Sequence, residues 1–362
     1  MSGSRAEYGL LRPVMTRIKD SRRLDLQLVV TGLHLVPRYG RTVRFVAGDG
    51  FMIYRAVPMY PVRGESDPGL ALARGVAGMS RAFRALRPDI VLLLGDRLEP
   101  LAAAIAAVAE AIPVAHLHGG DRSFVGHIDE TIRHTITKLA HLHFPATKTS
   151  ARRIVKLGEE PWRVRPVGTT ALDGLEDEGR MRRAELCARY GFDLRRPFVL
   201  VVQHPVSSEW AAAGRQMRET LKAIAGLTAQ AAISYPNNDP GSAAVIAEIE
   251  RSVRLPFVRT FRSIPRGEYV ALMRHAAAMV GNSSSGIIEA PALGLPMIHV
   301  GNRNVGREHA GNVVFIPHNA RAVRARLRPI LDREQSRIDR TGNIAGFSVR
   351  KPVKNPYGDG RA

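Results

Sequence analysis

The stretch AAAMVGNSSSGIIEAPALGLPMIHVG, residues 276–301, contains the pattern that decides the fold. Apolar runs at 276–282 and 296–301 are typical of buried strands, and three serines and a glycine stand before the helical segment between them. Buried strands joined through a helix predict a parallel sheet. Open N–H groups and hydroxyls at the helix start suit a phosphate, although a plain N-cap is an equally good interpretation.

The same alternation extends along the rest of the chain. The other predicted strands are 24–32, 89–96, 112–120, 141–147, 198–204, 231–236 and 257–261, and the clearest other helices are 69–86, 97–111 and 128–140. A polar, charged stretch after Thr170 separates two such series. We therefore predict an α/β protein with a Rossmann-like domain at 1–168 and a second one at 169–345.

Composition excludes several classes of protein. Hydrophobic residues make up 45% of the 362 residues, but no apolar run approaches the roughly 18 to 20 residues of a membrane span. The N-terminal sequence has no signal pattern, so we expect no membrane association and a cytoplasmic location. The single cysteine, Cys187, excludes an intramolecular disulfide framework and a cysteine-based metal site.

The chain is strongly basic, with a formal net charge of +20. Such a charge often indicates nucleic-acid binding. Here, however, 46 of the 53 basic residues are arginines scattered along the chain, as a codon bias toward arginine would also produce. We expect no nucleic-acid partner, and a positive field that favours an anionic substrate.

Polar side chains follow the predicted strands, at the edge where ligands bind in parallel sheets. Asp96 follows one strand, where it could also cap a helix. Residues 116–134 gather four histidines, three carboxylates and two arginines around a glycine pair, which favours a functional site. Asp129 and Arg133 are spaced i, i+4, so a structural salt bridge is the simpler interpretation of that pair. The cluster lacks the helical i, i+4 histidine pair of zinc enzymes, and we expect no metal.

The second series repeats this arrangement. His204 ends a predicted strand, where it could donate to a phosphate or be an ordinary loop histidine. Arg303 and Arg307 follow the strand at 296–301 and could hold phosphate oxygens.

Together these motifs resemble the UDP-N-acetylglucosamine 2-epimerases, and within that family the hydrolysing branch that makes N-acetylmannosamine-type sugars for sialic and legionaminic acid synthesis. The resemblance runs nearly end to end. It rests on GSRAEYGLLRP (3–13), HLHGGD (116–121), IRHTITKLAHLHF (132–144), GNSSSGIIE (281–289) and GNRNVGRE (301–308), in that order.

The resemblance implies a GT-B-like pair of domains with an interdomain cleft, in which the second domain binds UDP. It implies a diphosphate site at the three serines, a ribose contact at the following glutamate, and no metal or redox cofactor. The implied catalytic positions are Asp96, Asp121, Asp129, Arg133 and His204, with Glu130 as an alternative to Asp129, and the implied substrate-binding positions are Arg5, Ser283, Ser284, Ser285, Glu289 and Arg307.

The reaction implied is removal of the C2 proton with loss of UDP to give a glycal, followed by addition of water and return of a proton to the other face of C2. A non-hydrolysing epimerase is the first alternative, although HLHGGD with DETIRH stands in place of its EAG-type segment. A glycosyltransferase and a non-catalytic nucleotide-sugar-binding relative are the others. A homodimer is possible.

The sequence departs from the family pattern in three places. Only Met1 and Ser2 precede Gly3, so we expect a first strand to be missing. HGGD stands where HGGE is more usual, which shortens one candidate catalytic side chain at Asp121. The segment 346–362 is expected to return toward the first domain, but to lack the helix that usually follows.

Overall fold

The computed structural model describes residues 1–62, 67–122, 128–227, 229–237, 239–338 and 350–360. These residues form two compact units. The first contains the described residues up to Arg122 together with 128–173 and 357–360, and the second contains those from 174 to 356. Each unit is an α/β structure in which all paired strands are parallel.

The first unit has two hydrogen-bonded groups of strands, β1 with β2 and the order β3-β4-β5. Its strands are β1 Leu28–Thr31, β2 Ile53–Val57, β3 Val91–Leu94, β4 Val114–Leu117 and β5 Leu142–Phe144, and its helices are α1 Arg5–Lys19, α2 Val43–Gly48, α3 Pro68–Leu86, α4 Leu98–Ala109, α5 Ile128–Leu139 and α6 Lys148–Lys156. The alanine-rich α4 packs closely on α3, because a Cβ atom at Gly75 would lie 2.8 Å from that of Ala102.

The start of α1 explains part of the GSRAE motif. The Ser4 hydroxyl accepts from the N–H of Glu7 at 3.4 Å, and the Glu7 carboxylate accepts from the N–H of Gly3 at 2.9 Å, a variant of the capping box. Ser2, where a first strand was expected to be missing, forms an isolated parallel bridge to Val30. Burial, with a smaller contribution from Glu99, raises the pKa of Glu7 to about 8.

The second unit is a six-stranded sheet in the order β11-β10-β9-β6-β7-β8. Its strands are β6 Phe198–Val202, β7 Gln230–Ser234, β8 Val258–Phe261, β9 Met279–Gly281, β10 Met297–Val300 and β11 Val313–Ile316, and its helices are α7 Arg183–Tyr190, α8 Ala213–Ala225, α9 Ser242–Ser252, α10 Arg266–His275, α11 Ser285–Ile288 and α12 Ala320–Arg337. This is the doubly wound order, and the direction of winding reverses between β6 and β9.

Gly281 makes this reversal point possible. It has φ +130°, and a Cβ atom there would lie 2.2 Å from the carbonyl oxygen of Val202 at the end of β6. Only glycine allows the two backbones to approach this closely. The loops after β6 and β9 are thereby brought side by side.

All nine predicted strands are present and shorter than predicted, but two strands of the described residues, β2 and β11, were missed. β2 is largely exposed and β11 is an edge strand, so neither has the continuous apolar run of a central strand. The helical segment predicted between β9 and β10 is present, but it is not one continuous helix. It is instead the four-residue α11 followed by a 3₁₀ turn at Ala290–Leu293, where Pro291 supplies no backbone donor.

None of the helices in the described part of the chain is long and apolar enough to cross a membrane. Within the same residues, no group of three or more histidine, cysteine and acidic side chains is arranged to hold a metal ion.

Candidate functional site

In the first unit, two of the predicted aspartates, Asp96 and Asp121, contact one buried arginine. β3 and β4 are neighbours in register, so Asp96 and Asp121, which follow them, lie at the same edge of the sheet. Arg133 on α5 is 1% exposed. Its Nε donates to Oδ2 of Asp96 at 3.0 Å, its Nη2 donates to the same oxygen, and its Nη1 donates to the Asp121 carbonyl at 2.9 Å.

Electrostatics adds the third predicted carboxylate to this group. Burial by itself would lower the pKa of Arg133, but the charges of Asp96, Asp121 and Asp129 outweigh burial and raise it. The three carboxylates therefore act on one guanidinium group. The alternative residue Glu130 lies instead 3.8 Å from Nε2 of His134.

Two residues hold this group in place: His116, which belongs to the predicted cluster 116–134, and Ser150, which the sequence did not reveal. Ser150 on α6 donates its hydroxyl to Oδ1 of Asp121 at 2.8 Å. His116 donates from Nε2 to the carbonyl of Gly95 at 2.8 Å, and burial lowers its pKa to about 4, so the ring is neutral. Ser150 follows β5, the neighbour of β4, and its position after a third adjacent strand is the only sequence signal it carries.

Arg5 lies in the first unit at the start of α1, where its guanidinium carbon is 4.9 Å from the centre of the Phe45 ring. The predicted partners Ser283, Ser284, Ser285, Glu289 and Arg307 all belong to the second unit.

In the second unit, His204 is fixed by the loop after β9. Its N–H donates to Oδ1 of Asn282 at 2.7 Å, and its carbonyl accepts from Nδ2 of Asn282 at 2.8 Å. The backbone N–H of Asn237 donates to Nδ1 of the His204 ring at 3.1 Å. In the neutral ring the proton is therefore on Nε2, which leaves this histidine as an Nε2–H donor.

The serines after β9 form a hydrogen-bonded row with a tyrosine from α10. The hydroxyls of Ser283 and Ser285 are 3.1 Å apart, and Tyr269 Oη lies 2.6 Å from Ser285 Oγ. Ser284 is the N-cap of α11 without a side-chain capping bond, so capping does not account for this serine. Burial and the charge of Glu289 raise the pKa of Tyr269, which is therefore a protonated phenol.

Arg307 is connected to the same loop through Asn304. Arg307 Nη1 donates to Oδ1 of Asn304 at 3.3 Å, and Nδ2 of Asn304 donates to the Asn282 carbonyl at 2.8 Å and to Nε2 of His299 at 3.0 Å. Burial lowers the pKa of His299 to about 4, so its ring is a neutral acceptor. Asn304 could not be identified from the sequence, because polar residues are so common in loops that residue type alone does not distinguish it.

Glu289, the predicted ribose contact, is 5% exposed and is paired with Arg266 at the start of α10. Arg266 Nη1 donates to Oε1 of Glu289, and its Nε donates to Oε2 of Glu178 at 2.8 Å. Glu289 Oε2 makes no hydrogen bond with any residue that the structure describes.

Doubly wound parallel sheets with polar loops at the reversal point define a class of nucleotide-binding α/β proteins. The comparisons identify the family within that class. The family model described as UDP-N-acetylglucosamine 2-epimerase matches residues 16–362, and the chain belongs to this family.

The chain is 36% identical over 362 residues to the UDP-N,N'-diacetylbacillosamine 2-epimerase (hydrolyzing) of Legionella pneumophila, covering 100% of this chain and 92% of that protein. It is 32% identical to the UDP-N-acetylglucosamine 2-epimerase of Neisseria meningitidis over 89% of this chain and 84% of the relative. A crystal structure of UDP-GlcNAc 2-epimerase from Neisseria meningitidis, bound to UDP-GlcNAc, matches with a TM-score of 0.80 at 17% identity, covering 99% and 95% of the two chains.

These findings confirm the predicted family, the GT-B-like fold class with two Rossmann-like units, and the assignment of the chain as an epimerase. The roles of individual residues and the domain boundaries stay predictions.

Proposed function

We propose that the protein is a hydrolysing 2-epimerase that acts on a UDP-linked 2-acetamido sugar and releases UDP and the free 2-epimeric sugar. The observation that carries this proposal is the buried Arg133, which donates to the Asp96 carboxylate and to the Asp121 carbonyl, and whose pKa is raised by the charges of Asp96, Asp121 and Asp129. Abstraction of a proton from one face of C2 and delivery to the other need at least two acid/base groups, and this group offers three. The hydrolysing relative from Legionella pneumophila supports the same reaction.

In the proposed reaction, a carboxylate of the first unit takes the C2 proton, and the electron pair forms the C1–C2 double bond as the C1–O bond to UDP breaks. UDP leaves with the electron pair of that bond. Water then adds its oxygen to C1 and gives up one proton to a carboxylate, while a second acid delivers a proton to the opposite face of C2 and the C1–C2 double bond is lost. Arg133 stabilises the ionised carboxylates during these steps.

The second unit supplies the nucleotide site in this proposal. Ser283, Ser284 and Ser285 donate hydroxyl and N–H groups to the diphosphate, and Glu289 accepts from the ribose. Arg307 and the Nε2–H of His204 stabilise the negative charge of the departing UDP. Arg5 is proposed to contact the same substrate. The product would be a sugar of the N-acetylmannosamine type, as used for sialic acid synthesis. A homodimer and a cytoplasmic location stay predictions.

Incubation in deuterated water with UDP-N-acetylglucosamine, and separately with UDP-N,N'-diacetylbacillosamine, tests the proposal. We expect equal amounts of free UDP and a free 2-epimer with deuterium at C2 from one of the two substrates. Deuterated UDP-sugar without free UDP would indicate a non-hydrolysing epimerase instead. Recovery of both substrates unchanged would contradict catalysis of this kind.

Single replacements Asp96→Asn, Asp121→Asn and Asp129→Asn test the residue roles. Each should reduce turnover by roughly a hundredfold or more, the usual contribution of a positioned acid or base. Glu110→Gln, at a carboxylate paired with the exposed Arg84, is the matched control and should keep full activity, whereas Glu130→Gln tests the alternative to Asp129. Activity retained in all three aspartate variants would overturn the assignment.

A further inference from the structure

We propose that Arg266 is a positioning residue for nucleotide binding, which orients the Glu289 carboxylate so that its remaining oxygen accepts from the ribose hydroxyls. This inference rests on the proposed function, because it takes Glu289 as the ribose contact. It assigns a role to Arg266 that the motif around Glu289 does not reveal.

The first observation is the geometry of the arginine. Arg266 lies between two carboxylates, with Nη1 on Oε1 of Glu289 and Nε on Oε2 of Glu178 at 2.8 Å. The side chains of Arg266 and Glu178 are 20% and 22% exposed, whereas that of Glu289 is 7% exposed. Arg266 is thus anchored by one carboxylate near the surface while it neutralises a more deeply buried one. Two attachment points fix the guanidinium plane, and that plane fixes the carboxylate it contacts.

The second observation is the state of Glu289. Oε1 is used by Arg266, and Oε2 has no hydrogen-bond partner among the described residues. A carboxylate oxygen without a protein partner is available to accept from a ligand that supplies donors. Vicinal hydroxyls of a ribose are donors of that kind.

The charges around Glu289 explain why the arginine is needed. Burial raises the pKa of Glu289 and the charge of Glu178 raises it further, while Arg266 on α10 opposes both. Tyr269, from the same helix, is the other titratable group that faces Glu289, and it stays protonated because its pKa is raised. Arg266 therefore favours the ionised form of Glu289, against burial and the charge of Glu178.

The same arginine connects the ribose contact to the serine row. Arg266 and Tyr269 are three residues apart on α10, so they lie on one face of the helix. Tyr269 contacts Ser285 while Arg266 contacts Glu289, the residue at the C-terminal end of α11. Rotation of α10 would move both contacts together.

The test is calorimetric binding of UDP and 2′-deoxy-UDP to the full chain between pH 5.5 and pH 8.5. Arg266→Met should weaken UDP binding roughly tenfold or more at the acid end, with recovery as the pH rises and Glu289 ionises. It should also reduce the preference of the protein for UDP over 2′-deoxy-UDP. Arg266→Lys keeps a cation and should fall between the wild type and Arg266→Met.

Two further variants make the result interpretable. Glu289→Gln should be weak at every pH, because it cannot ionise. Arg218→Met, which removes a surface arginine paired with Glu248, is the matched control and should bind like the wild type. If Arg266→Met weakens both nucleotides equally at every pH, the arginine is only structural and the inference is wrong. If the wild type binds no UDP, the proposed function fails instead.

Discussion

The pairing of Asp96 with Arg133 can be tested quantitatively by a double-mutant cycle on the free energy of unfolding. The Arg133 side chain is 1% exposed and that of Asp96 is 23% exposed. Asp96→Asn leaves a cation that water cannot reach, although Asp121 and Asp129 still act on it. We expect a loss of about 3 kcal/mol, the lower end of the cost of breaking a buried pair.

Arg133→Met has a different cost. It removes the cation on which the charges of Asp96, Asp121 and Asp129 act, but water reaches Asp96, so we expect a loss of about 2 kcal/mol. In the double variant the neutral amide at position 96 no longer repels the remaining carboxylates, and the total loss should be smaller than the sum of the two. The coupling energy should be at least about 1.5 kcal/mol.

Urea denaturation of the four proteins at pH 7 gives the cycle. The pair Arg84 and Glu110 in the same unit is the control, because the Arg84 side chain is 69% exposed, and its cycle should show no measurable coupling. A coupling below about 0.5 kcal/mol for Asp96 and Arg133 would refute the reasoning, because that value is typical of exposed pairs. The carboxylates would then not be organised by the arginine.

Three further variants test individual contacts. Burial raises the pKa of Glu7 to about 8 in the folded protein, whereas the unfolded chain loses this proton above about pH 4.5. Between these two pH values the free energy of unfolding therefore falls as the pH rises, because the folded protein must keep a proton that the unfolded chain releases. The free energy of unfolding of Glu7→Gln should therefore rise relative to that of the wild type by up to about 1.4 kcal/mol per pH unit in this window, as measured by urea denaturation. The same pH dependence of stability in both proteins would contradict the raised pKa. Gly281→Ala should lower the free energy of unfolding by about 3 kcal/mol or more, as measured by thermal unfolding. The control is Gly306→Ala, which should cost about 1 kcal/mol, because Gly306 also has a positive φ (+86°) but no atom lies within 4 Å of an added Cβ. Equal losses in the two variants would show that the close approach of Gly281 to Val202 is unimportant. Asn282→Ala should lower the free energy of unfolding by about 2 kcal/mol and weaken UDP binding, because both hydrogen bonds to the His204 backbone are removed. Asn282→Asp keeps the acceptor and should cost less. Unchanged UDP binding in both variants would show that these two hydrogen bonds do not affect the nucleotide site.

The central strands and the site loops could be predicted because both are local properties of the sequence. FVLVVQH contains a fully buried strand and then a polar residue, so it shows where the strand ends and which side chain follows. Asp96 and Asp121 were found in the same way, whereas Asp129 was assigned through the family resemblance. β2 escaped prediction because three of its five residues are exposed, and its pairing with β1 is decided by tertiary contacts.

The supporting residues could not be predicted because their roles depend on distant partners. Ser150 contacts Asp121 across 29 positions, and Asn282 contacts His204 across 78. Arg266 is one of 46 arginines in the chain, and only the fold shows that it meets Glu178 and Glu289. Residue type and spacing identify groups that react or bind, whereas the groups that orient them are chosen by the packing.

The two hydrogen bonds between Asn282 and His204 also matter for anyone who re-engineers this protein. The loop after β6 and the loop after β9 are far apart in the chain, but each provides the backbone or side-chain partner that the other needs. Transplanting either loop alone from a relative would leave unmatched polar groups at the point where the sheet changes direction. The two loops should be exchanged together, as a single cassette.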